Sequence, residues 1–595
     1  MKHTFKMGLV LATILLVLSG NLFAQNTTPV PLTAPLRVDL SSAEKHPVLR
    51  RIVQAPTTLR HRLTGIDADA LNADLISVEL FDGKTVSFQR RRDAMDKTNG
   101  AWNGNAVGLM GSIVILPAPK GLYASIFAGN QVFEIGGIEN GIHVLTEIDQ
   151  TQYPKETCRN IVAEPKPSGA ASANRSMDDP VECNIRLLIA YTPAAAAWVS
   201  GSGFGDMTTL AQAAVTRTNL SYTNSLINYR VELARVVPVS FTESGDFDPD
   251  LTLFRDNGDG VMDEVHGLRD LYRADVCVLI TDGDGGCGLA SVIMANDATA
   301  FCALNAGCAV GNLTFAHEIG HLQGARHDLY VDGSTSPFSY GHGLVYLPGQ
   351  WRTVMSYNDE CSDNGFNCTR LPYWSNPNVN NPDDGMSTGT TADQHNARVL
   401  NETSDEVRLF RTQAADLVLA NTTLAGDIFA DQTAANTIRA GTNYLINANA
   451  DVRFRAGNFI LLQPGFRAQS GTGVNSKFRA TIENVANCPA ASFAGENPEE
   501  RAADPGVFGT VSLSIEPNLI SDAGRIRFNL PLSGNVSLRM VNLLGENIDS
   551  PLNNQFLEQG EHTLDWQNIP AGSGLYYCIL QANGTRVVKP FVVAR

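Results

Sequence analysis

The chain has 595 residues, of which 43% are hydrophobic and 18% are charged, and its formal net charge is −17. Such a chain can bury several apolar cores, and its length alone suggests about three or four domains. The acidic balance argues against nucleic acid as a partner, because phosphate binding requires a basic surface.

The first residues are typical of a secretory signal peptide. The basic start precedes an apolar run from Met7 to Leu18, and Ala24 is a suitable small residue for cleavage. The run is too short for a membrane span, and no later segment reaches the roughly eighteen apolar residues that a span needs. We expect a signal peptide over residues 1–24 and a secreted or outer-surface protein whose mature form has no transmembrane helix.

Residues 25–180 follow as a separate β-rich region. Leu75–Leu80 and Gly111–Leu116 are predicted strands, because their side chains alternate in character. The segment Pro165–Pro180 is rich in Pro, Ser, Ala and Gly and has no periodicity. It is interpreted as an exposed linker that is suited to proteolytic cutting.

Helices and strands alternate over the next region, residues 181–412. This alternation favours an α/β (α+β) half-domain with an irregular second half. The predicted elements are a strand at Ile185–Ala190, a helix at Thr208–Leu226, a helix at Asp263–Tyr272, a strand at Ala274–Thr281 and a helix at Leu313–Leu322.

The most informative segment is His317–Asp328, which reads HEIGHLQGARHD. On a helix, His317 and His321 lie one turn apart on the same face, about 6 Å from each other, so both imidazoles can reach one ion. Gly324 can adopt the positive φ that ends a helix, which lets His327 return as a third ligand. Three nitrogen ligands leave one zinc position open, as in catalytic sites.

Glu318 lies beside the first histidine of this predicted site. Zinc lowers the pKa of a bound water towards ~7, and Glu318 is placed to take its proton, deliver hydroxide to a carbonyl and protonate the leaving amine. The pattern is too specific to be attributed to chance. The remaining alternative is a zinc site that has lost activity.

This segment and the later Thr353–Tyr357, which reads TVMSY, resemble the metzincin clan of zinc endopeptidases. The resemblance implies that Met355 forms the methionine turn under the zinc ligands. It also implies that Tyr357 reaches the zinc or the oxyanion of the reaction, with a packing role as the alternative. Asp328 resembles the aspartate that holds local structure in the reprolysin-like branch.

Four further segments resemble the bacterial reprolysin-like proteases that include peptidyl-Asp metalloendopeptidases. They are Ile185–Pro193, Asp259–His266, Cys287–Gly288 and Tyr373–Pro377. The resemblance implies a zinc endopeptidase with protein or peptide substrates. Cleavage before aspartate would need a cationic pocket, for which Arg326 and Arg352 are candidates because they are near the motifs in sequence.

A latent protease needs a propeptide, so residues 25–180 are interpreted as a propeptide with its linker. If the enzyme cuts before aspartate, Met177–Asp179 would be a site for its own activation. Cys158 offers an alternative source of latency as a thiolate bound to zinc, although its surroundings do not match the switch motif of matrix metalloproteinases.

Ten cysteines in an exported protein are expected to form disulfides first. If Cys158 pairs with Cys183, six others in the catalytic region can close three loops, of which Cys361 to Cys368 is the most local. A buried free thiol at Cys277, inside an apolar run, is the alternative. The connectivity stays open at this point.

The cluster Asp256–Gly260 offers only weak support for calcium. An EF-hand register with Gly260 at its sixth position places Arg255 and His266 where carboxylates belong. A turn that caps the next helix is the favoured interpretation.

After Arg411 the pattern changes to short strands with Gly, Asn and Pro turns, which predicts a small all-β module over residues 413–489 and a linker over residues 490–509. The tail, residues 510–595, resembles the C-terminal sorting domain of the type IX secretion system through segments such as Ile569–Tyr576. The resemblance implies the secretion machinery as a partner. The alternative is a sandwich domain for substrate binding or stability.

The predicted protein is therefore multidomain, with a β-rich propeptide, a metzincin-type catalytic domain over residues 181–412, an all-β module and a β-sandwich sorting domain. Its predicted activity is hydrolysis of peptide bonds by zinc-activated water, with zinc as the one catalytic cofactor. The rival hypothesis is a cell-surface adhesin whose metal domain is catalytically silent.

Overall fold

A computed structural model gives the fold of two compact units, residues 1–489 and 490–595. The predicted signal peptide, the two predicted linkers, Met177–Asp179, Cys158 and Cys183 lie outside the described residues. None of the helices in the described part has the length and hydropathy that crossing a bilayer requires. The described residues are 28–36, 45–91, 101–139, 141–154, 184–283, 285–469, 477–483, 512–516, 519–520, 523–530, 533–542, 546–570, 572–582 and 585–593.

The described N-terminal residues form a ten-stranded sheet with strand order β1-β4-β5-β6-β7-β8-β9-β10-β3-β2. Its elements are β1 (Val30–Pro31), β2 (Thr33–Ala34), α1 (Pro47–Gln54), β3 (Thr58–Ile66), a 3₁₀ helix (Ala68–Asn72), β4 (Leu75–Glu79), β5 (Thr85–Arg90), β6 (Trp102–Ala106), β7 (Gly111–Ala118), β8 (Gly121–Ala128), β9 (Gln131–Glu139), β10 (Ile142–Ile148) and a second 3₁₀ helix (Gln150–Gln152).

Both faces of this sheet are covered by apolar cores. Successive side chains of a strand point to opposite sides of the sheet, so one strand contributes to both cores. On β7, Ile113 and Ile115 pack into a core within the sheet domain. Val114 and Leu116 on the other face join the core of the catalytic region. The N-terminal sheet and the catalytic region therefore share buried surface.

The catalytic region begins with a five-stranded part of a larger sheet, in the order β14-β15-β13-β11-β12. Four of these strands run parallel, and the edge strand β14 is antiparallel to β15. The elements are β11 (Asn184–Tyr191), α2 (Pro193–Ser200), α3 (Met207–Asn224), β12 (Arg230–Pro238), α4 (Phe247–Arg255), α5 (Glu264–Leu271), β13 (Val276–Thr281), β14 (Gly288–Ala290), β15 (Phe301–Asn305), a 3₁₀ helix (Ala306–Cys308) and α6 (Thr314–Leu322).

Helices cover both faces of this sheet, and the five predicted elements form at their predicted places. Leu210 of α3 and Ile319 of α6 pack on one face, and Leu251 of α4 and Val265 of α5 pack on the other. The second half of the region is largely irregular. Its elements are β16 (Val345–Tyr346), β17 (Trp351–Arg352), α7 (Asp359–Asp363), β18 (Thr369–Arg370) and α8 (Asn396–Val407).

Two of the predicted cysteine arrangements can be judged in the described residues. Cys361 pairs with Cys368 as predicted, and Cys287 pairs with Cys308. The alternative in which six cysteines of the catalytic region close three loops is excluded, because Cys277 and Cys302 are buried and free. Their strands are neighbours, but the two thiols lie in cores on opposite faces of the sheet. The alternative of a buried thiol at Cys277 is confirmed.

The described residues of 413–489 form strands that stack in parallel coils. Thr422 pairs with Tyr444 and Ile428 with Ala450, each 22 residues further along the chain. The strands are β19 (Ala414–Leu419), β20 (Thr422–Leu424), β21 (Ile428–Ala440), β22 (Tyr444–Ile446), β23 (Ala450–Ala456), β24 (Phe459–Leu462), β25 (Arg467–Ala468) and β26 (Lys477–Ile482).

These coils continue the catalytic sheet, since β21 pairs antiparallel with β12. Arg186 of β11 and Asp431 of β21 form a buried ion pair at 3.2 Å. The carboxylate of Asp427 accepts a hydrogen bond from the backbone N–H of Met207, at the start of α3. The coils are therefore joined to the catalytic region by main-chain pairing and by buried charge.

The second unit is all-β in its described residues. A three-stranded sheet, β27-β29-β32, and a five-stranded sheet, β28-β34-β33-β30-β31, contribute to one apolar cluster. The strands are β27 (Ser512–Glu516), β28 (Leu519–Ile520), β29 (Gly524–Leu530), β30 (Gly534–Asn542), β31 (Asn547–Leu557), β32 (Gly560–Trp566), β33 (Gly574–Ala582) and β34 (Thr585–Val593).

Candidate metal centre and active site

Helix α6 carries the first two histidines and ends in a glycine turn. Gly324 has φ of +100°, which a residue with a Cβ rarely adopts. Its N–H donates to the carbonyl of His321 at 2.8 Å, and the N–H of Ala325 donates to Gly320 at 2.9 Å. This pair of bonds is the Schellman arrangement, which reverses the chain after a helix. The reversal brings His327 back towards α6.

The three histidines converge on one point and are buried. The Nε2 atom of His321 lies 3.1 Å from Nε2 of His317 and 2.9 Å from Nε2 of His327. The other ring nitrogens of His317 and His321 point away from this point. Nδ1 of His317 lies 3.0 Å from the carbonyl of Val354, and Nδ1 of His321 lies 3.0 Å from that of Ala325.

The donor set fits a zinc ion. A backbone carbonyl can only accept, so Nδ1 of His317 and of His321 must carry the proton, and each Nε2 then presents a lone pair. Burial, followed by the charges of the neighbouring histidines and arginines, holds the pKa of His327 well below its usual range, so this ring is neutral as well. Converging lone pairs repel unless a cation lies between them, and neutral imidazole is a preferred zinc ligand.

No second cluster of this kind occurs among the residues that the structure describes. In the loop considered for calcium, the carboxylate of Asp263 accepts hydrogen bonds from the backbone N–H groups of Gly258 at 2.7 Å and Gly260 at 3.1 Å. That carboxylate closes the turn ahead of α5. The loop adds no support for a calcium ion.

Glu318 is buried beside the first histidine, against the edge strand β14. A Cβ placed on Gly288 would lie 2.7 Å from Oε1 of Glu318 and 2.8 Å from a methyl carbon of Thr314. The missing side chain at Gly288 thus provides the space that the carboxylate occupies. Gly288 belonged to a motif in the sequence, but its spacing gave no sign of this role.

Tyr357 and Asp328 lie next to the histidine cluster. The ring centre of Tyr357 is 4.3 Å from that of His327 and 6.0 Å from that of His317. Asp328 accepts hydrogen bonds from the backbone N–H groups of Tyr357 at 2.8 Å and Tyr330 at 3.1 Å. The aspartate therefore ties the segment after His327 to the segment that carries the tyrosine.

Met355 lies under α6, together with a tryptophan that the sequence analysis gave no role. A Cβ on Gly320 would lie 2.9 Å from Sδ of Met355 and 2.6 Å from the ring of Trp374. Both side chains are fully buried, and Nε1 of Trp374 donates to Ser221 of α3 at 2.9 Å. Gly320 lets this floor approach the helix, and the motif around Trp374 was the available signal.

The two arginines considered for a cationic pocket are buried parts of the scaffold. Arg326 donates to both carboxylate oxygens of Asp332, at 2.9 and 3.1 Å. Arg352 donates through Nε to the carbonyl of Cys368 at 2.9 Å and also binds the carbonyl of Ser356. They are 1% and 4% exposed, so neither presents its charge at an open surface.

Comparison with known proteins gives a consistent result. A model for metallo-peptidase family M12, Reprolysin_5, matches residues 182–375. The peptidyl-Asp metalloendopeptidase of Xanthomonas campestris is 35% identical over 405 residues, which cover 64% of this chain and 94% of that protein. The enzyme of the same name from Stenotrophomonas maltophilia is 34% identical with the same coverage. The one from Pseudomonas fragi is 39% identical over 32% of this chain and 99% of its own length.

Proposed function

This chain belongs to metallopeptidase family M12 and is a zinc metalloendopeptidase, and from that premise we propose which of its residues perform the reaction. His317, His321 and His327 bind the zinc ion, and Glu318 is the general acid and base. This assignment rests on the convergence of three buried Nε2 atoms, since that of His321 lies 3.1 Å from that of His317 and 2.9 Å from that of His327.

Zinc held by the three imidazoles would supply Lewis acidity, which would make water a nucleophile near neutral pH. Glu318 takes a proton from the attacking water, whose oxygen bonds to the substrate carbonyl carbon, and passes that proton to the amine nitrogen as the C–N bond breaks. The hydroxyl of Tyr357 donates a hydrogen bond to the oxyanion that forms on the substrate carbonyl. Met355, Gly324 and Asp328 support the ligands without touching the substrate.

Casein hydrolysis tests this assignment. Wild-type protein and Glu318→Ala are assayed with and without a chelator, and zinc is then added back to the chelated wild type. We expect hydrolysis only by the wild type that holds zinc. Undiminished hydrolysis by Glu318→Ala would remove the glutamate from the mechanism. Zinc binding without hydrolysis by the wild type would favour the rival adhesin hypothesis.

We further propose that the enzyme cleaves before aspartate, as the names of its relatives suggest for those proteins. Arg326 and Arg352 are buried, so neither offers an exposed guanidinium that could bind the aspartate of a substrate. A peptide library therefore provides the test. Enrichment of aspartate on the carboxyl side of the cut bond supports the proposal, and frequent cuts without aspartate contradict it.

The chain organisation is proposed as that of a secreted, latent precursor. Residues 1–24 are the signal peptide, residues 25–180 the propeptide and linker, residues 413–489 an all-β module, and residues 510–595 a β-sandwich sorting domain for type IX secretion. The apolar N-terminal run and the two disulfides among the described residues suit export to an oxidising compartment. N-terminal sequencing of the exported enzyme, and export of a chain without residues 510–595, test these boundaries.

A further inference from the structure

Helix α3 of the catalytic region inserts an arginine into the N-terminal sheet. Nη1 of Arg217 donates to Ser112 Oγ at 2.8 Å and Nη2 donates to Ser125 Oγ at 2.9 Å. Its guanidinium carbon lies 4.7 Å from the ring centre of Phe127, and Arg217 is 1% exposed. Separating the two parts would break these hydrogen bonds and expose the apolar surface that the sheet and α3 bury together, and exposing apolar surface to water is unfavourable.

The same sheet also binds the second half of the catalytic region. Asn130 donates through Nδ2 to the carbonyl of Gly349 at 2.7 Å, and its own carbonyl accepts from Thr369 Oγ1 at 2.7 Å. The N–H of Met110 donates to Asp383 at 2.6 Å. The N-terminal sheet thus spans the two halves that meet at the histidine cluster.

Gln150, in the 3₁₀ helix after β10, contacts two segments that lead to the proposed zinc site. Its Nε2 donates to the carbonyl of Gly311 at 2.9 Å, and its Oε1 accepts from the N–H of Arg370 at 2.7 Å. Arg370 in turn donates to the carbonyls of Asn312 at 3.0 Å and Ser356 at 2.9 Å. Asn312 precedes α6, and Ser356 lies between the methionine and the tyrosine of the site.

We propose that the N-terminal sheet, residues 28–154, stays bound to the catalytic region as a non-covalent subunit after the linker is cut, and that Gln150 is a positioning residue for the zinc site. If the sheet stays bound in this way, an active enzyme does not require its departure. The activity part of the proposal rests on the proposed function, whereas the binding part rests only on the contacts described above.

The binding part is tested in a full-length Glu318→Gln chain, which cannot digest itself. A recognition sequence for a site-specific protease replaces part of residues 165–180, and Cys158→Ser is added so that no disulfide between Cys158 and Cys183 can join the fragments. The cut protein is analysed by size-exclusion chromatography. We expect both fragments to elute together and to separate only in denaturant. Elution as two separate species under native conditions would overturn the proposal.

A matched pair of glycine variants locates the contact. A Cβ on Gly311 would lie 2.4 Å from the hydroxyl of Tyr153 and 3.2 Å from Oε1 of Glu134, both in the N-terminal part, whereas a Cβ on Gly333 meets nothing within 4 Å. The Kd for dissociation of the cut complex into its two fragments should be about 10-fold higher for Gly311→Ala than for Gly333→Ala. Equal dissociation would contradict the assigned interface.

The positioning role is tested in the cut, active enzyme with two glutamines of the same turn. Gln152 is exposed, so Gln152→Ala should match the wild type. Gln150→Ala should lower kcat about 10-fold with KM and zinc content nearly unchanged, because the carbonyl and N–H that it binds lose a buried partner. Gln150→Glu keeps the acceptor and loses the donor, so an intermediate kcat is expected.

These outcomes distinguish failure of the positioning role of Gln150 from failure of the proposed function. A kcat of Gln150→Ala equal to that of Gln152→Ala, in complexes that elute intact, would overturn the positioning role. Inactive wild-type and Gln152→Ala enzymes with zinc bound would contradict the proposed function instead, and the elution result would still decide whether the sheet is retained.

Discussion

The segment His317–Asp328 and the N-terminal sheet shape the same site over very different distances along the chain. The three Nε2 atoms meet because one helical turn and one glycine bring them together within eleven residues. Gln150 hydrogen-bonds to Gly311, which is 161 residues away along the chain, and to Arg370, which is 220 residues away. The residues proposed to carry out the reaction are close together in sequence, whereas the residues proposed to position them are far away along the chain.

This difference predicts graded consequences of mutation. A change within the local segment removes a proposed ligand or the proposed proton carrier and should abolish the reaction. A change in the distant support leaves every reacting group in place and should lower the rate through small displacements, since misplacement by about 1 Å can cost about 100-fold. The following variants are ordered by the size of the expected effect.

The largest effect is expected for His327→Ala, which removes the third proposed ligand. We expect kcat/KM to fall by at least about 10³-fold, because metal catalysis contributes several kcal/mol to the barrier. Peptide hydrolysis and elemental analysis of zinc should decline together. His61→Ala, at an exposed position of the N-terminal sheet, serves as the control. Full activity of His327→Ala would exclude this residue as a ligand.

Gly288→Ala tests the space that Glu318 occupies. The added methyl group would lie 2.7 Å from Oε1 of Glu318, so the carboxylate must move. We expect kcat to fall about 100-fold while zinc stays bound. Gly267→Ala, where a Cβ meets nothing within 4 Å, is the matched control. Unchanged kcat in both variants would mean that the position of the carboxylate is not critical.

Tyr357→Phe should have a smaller effect, since it removes one hydroxyl from a ring that keeps its packing against His327. We expect kcat to fall about 10–100-fold with little change in KM, because the hydroxyl is proposed to act on the oxyanion alone. Tyr330→Phe, an exposed tyrosine nearby, should behave as the wild type. A change in KM alone would argue for substrate binding instead.

The smallest expected effect concerns pH and the contact between the sheet and the catalytic region. Burial raises the pKa of Glu134 from 4.5 to about 7, and Tyr123, Arg217 and Tyr153 are the titratable groups that face it. A raised carboxyl pKa contributes stability that is complete below pH 4.5 and is lost as the pH rises through about 7. The melting temperature should therefore fall across this range.

Glu134→Gln should flatten this dependence, because the amide does not titrate. Thermal unfolding of both proteins at pH 5 and pH 8 should give a difference of roughly 2–4 °C in the size of the shift. Parallel melting curves for the two proteins across this range would contradict the assignment to Glu134.

The convergence of His317, His321 and His327 was predictable from sequence, because the first two are one helical turn apart and the third follows a glycine turn closely. The elements at Ile185–Ala190 and Leu313–Leu322 were predictable for the same reason, since apolar periodicity is a local property. Gly288, Trp374 and Gln150 were not, because their roles come from contacts with residues far away in the chain. A Cβ clash or a buried amide contact leaves no spacing pattern.

The coils after residue 412 show a second limit. Their 22-residue repeat is set by parallel pairing of Thr422 with Tyr444 and Ile428 with Ala450. Each repeat keeps only a few inward-facing apolar positions, such as Leu424 and Ile446, while the other residues vary. Such a repeat is defined by which positions are buried more than by which residues occupy them. The sequence therefore predicted strands here but not their parallel order.

The most direct test of the account is the zinc content of the purified, dialysed wild-type enzyme, measured together with its hydrolysis of peptides. We predict one zinc ion for each chain and a loss of activity in proportion to zinc removed by a chelator. Full activity in a protein without stoichiometric metal would contradict the assignment of His317, His321 and His327 as the catalytic zinc ligands.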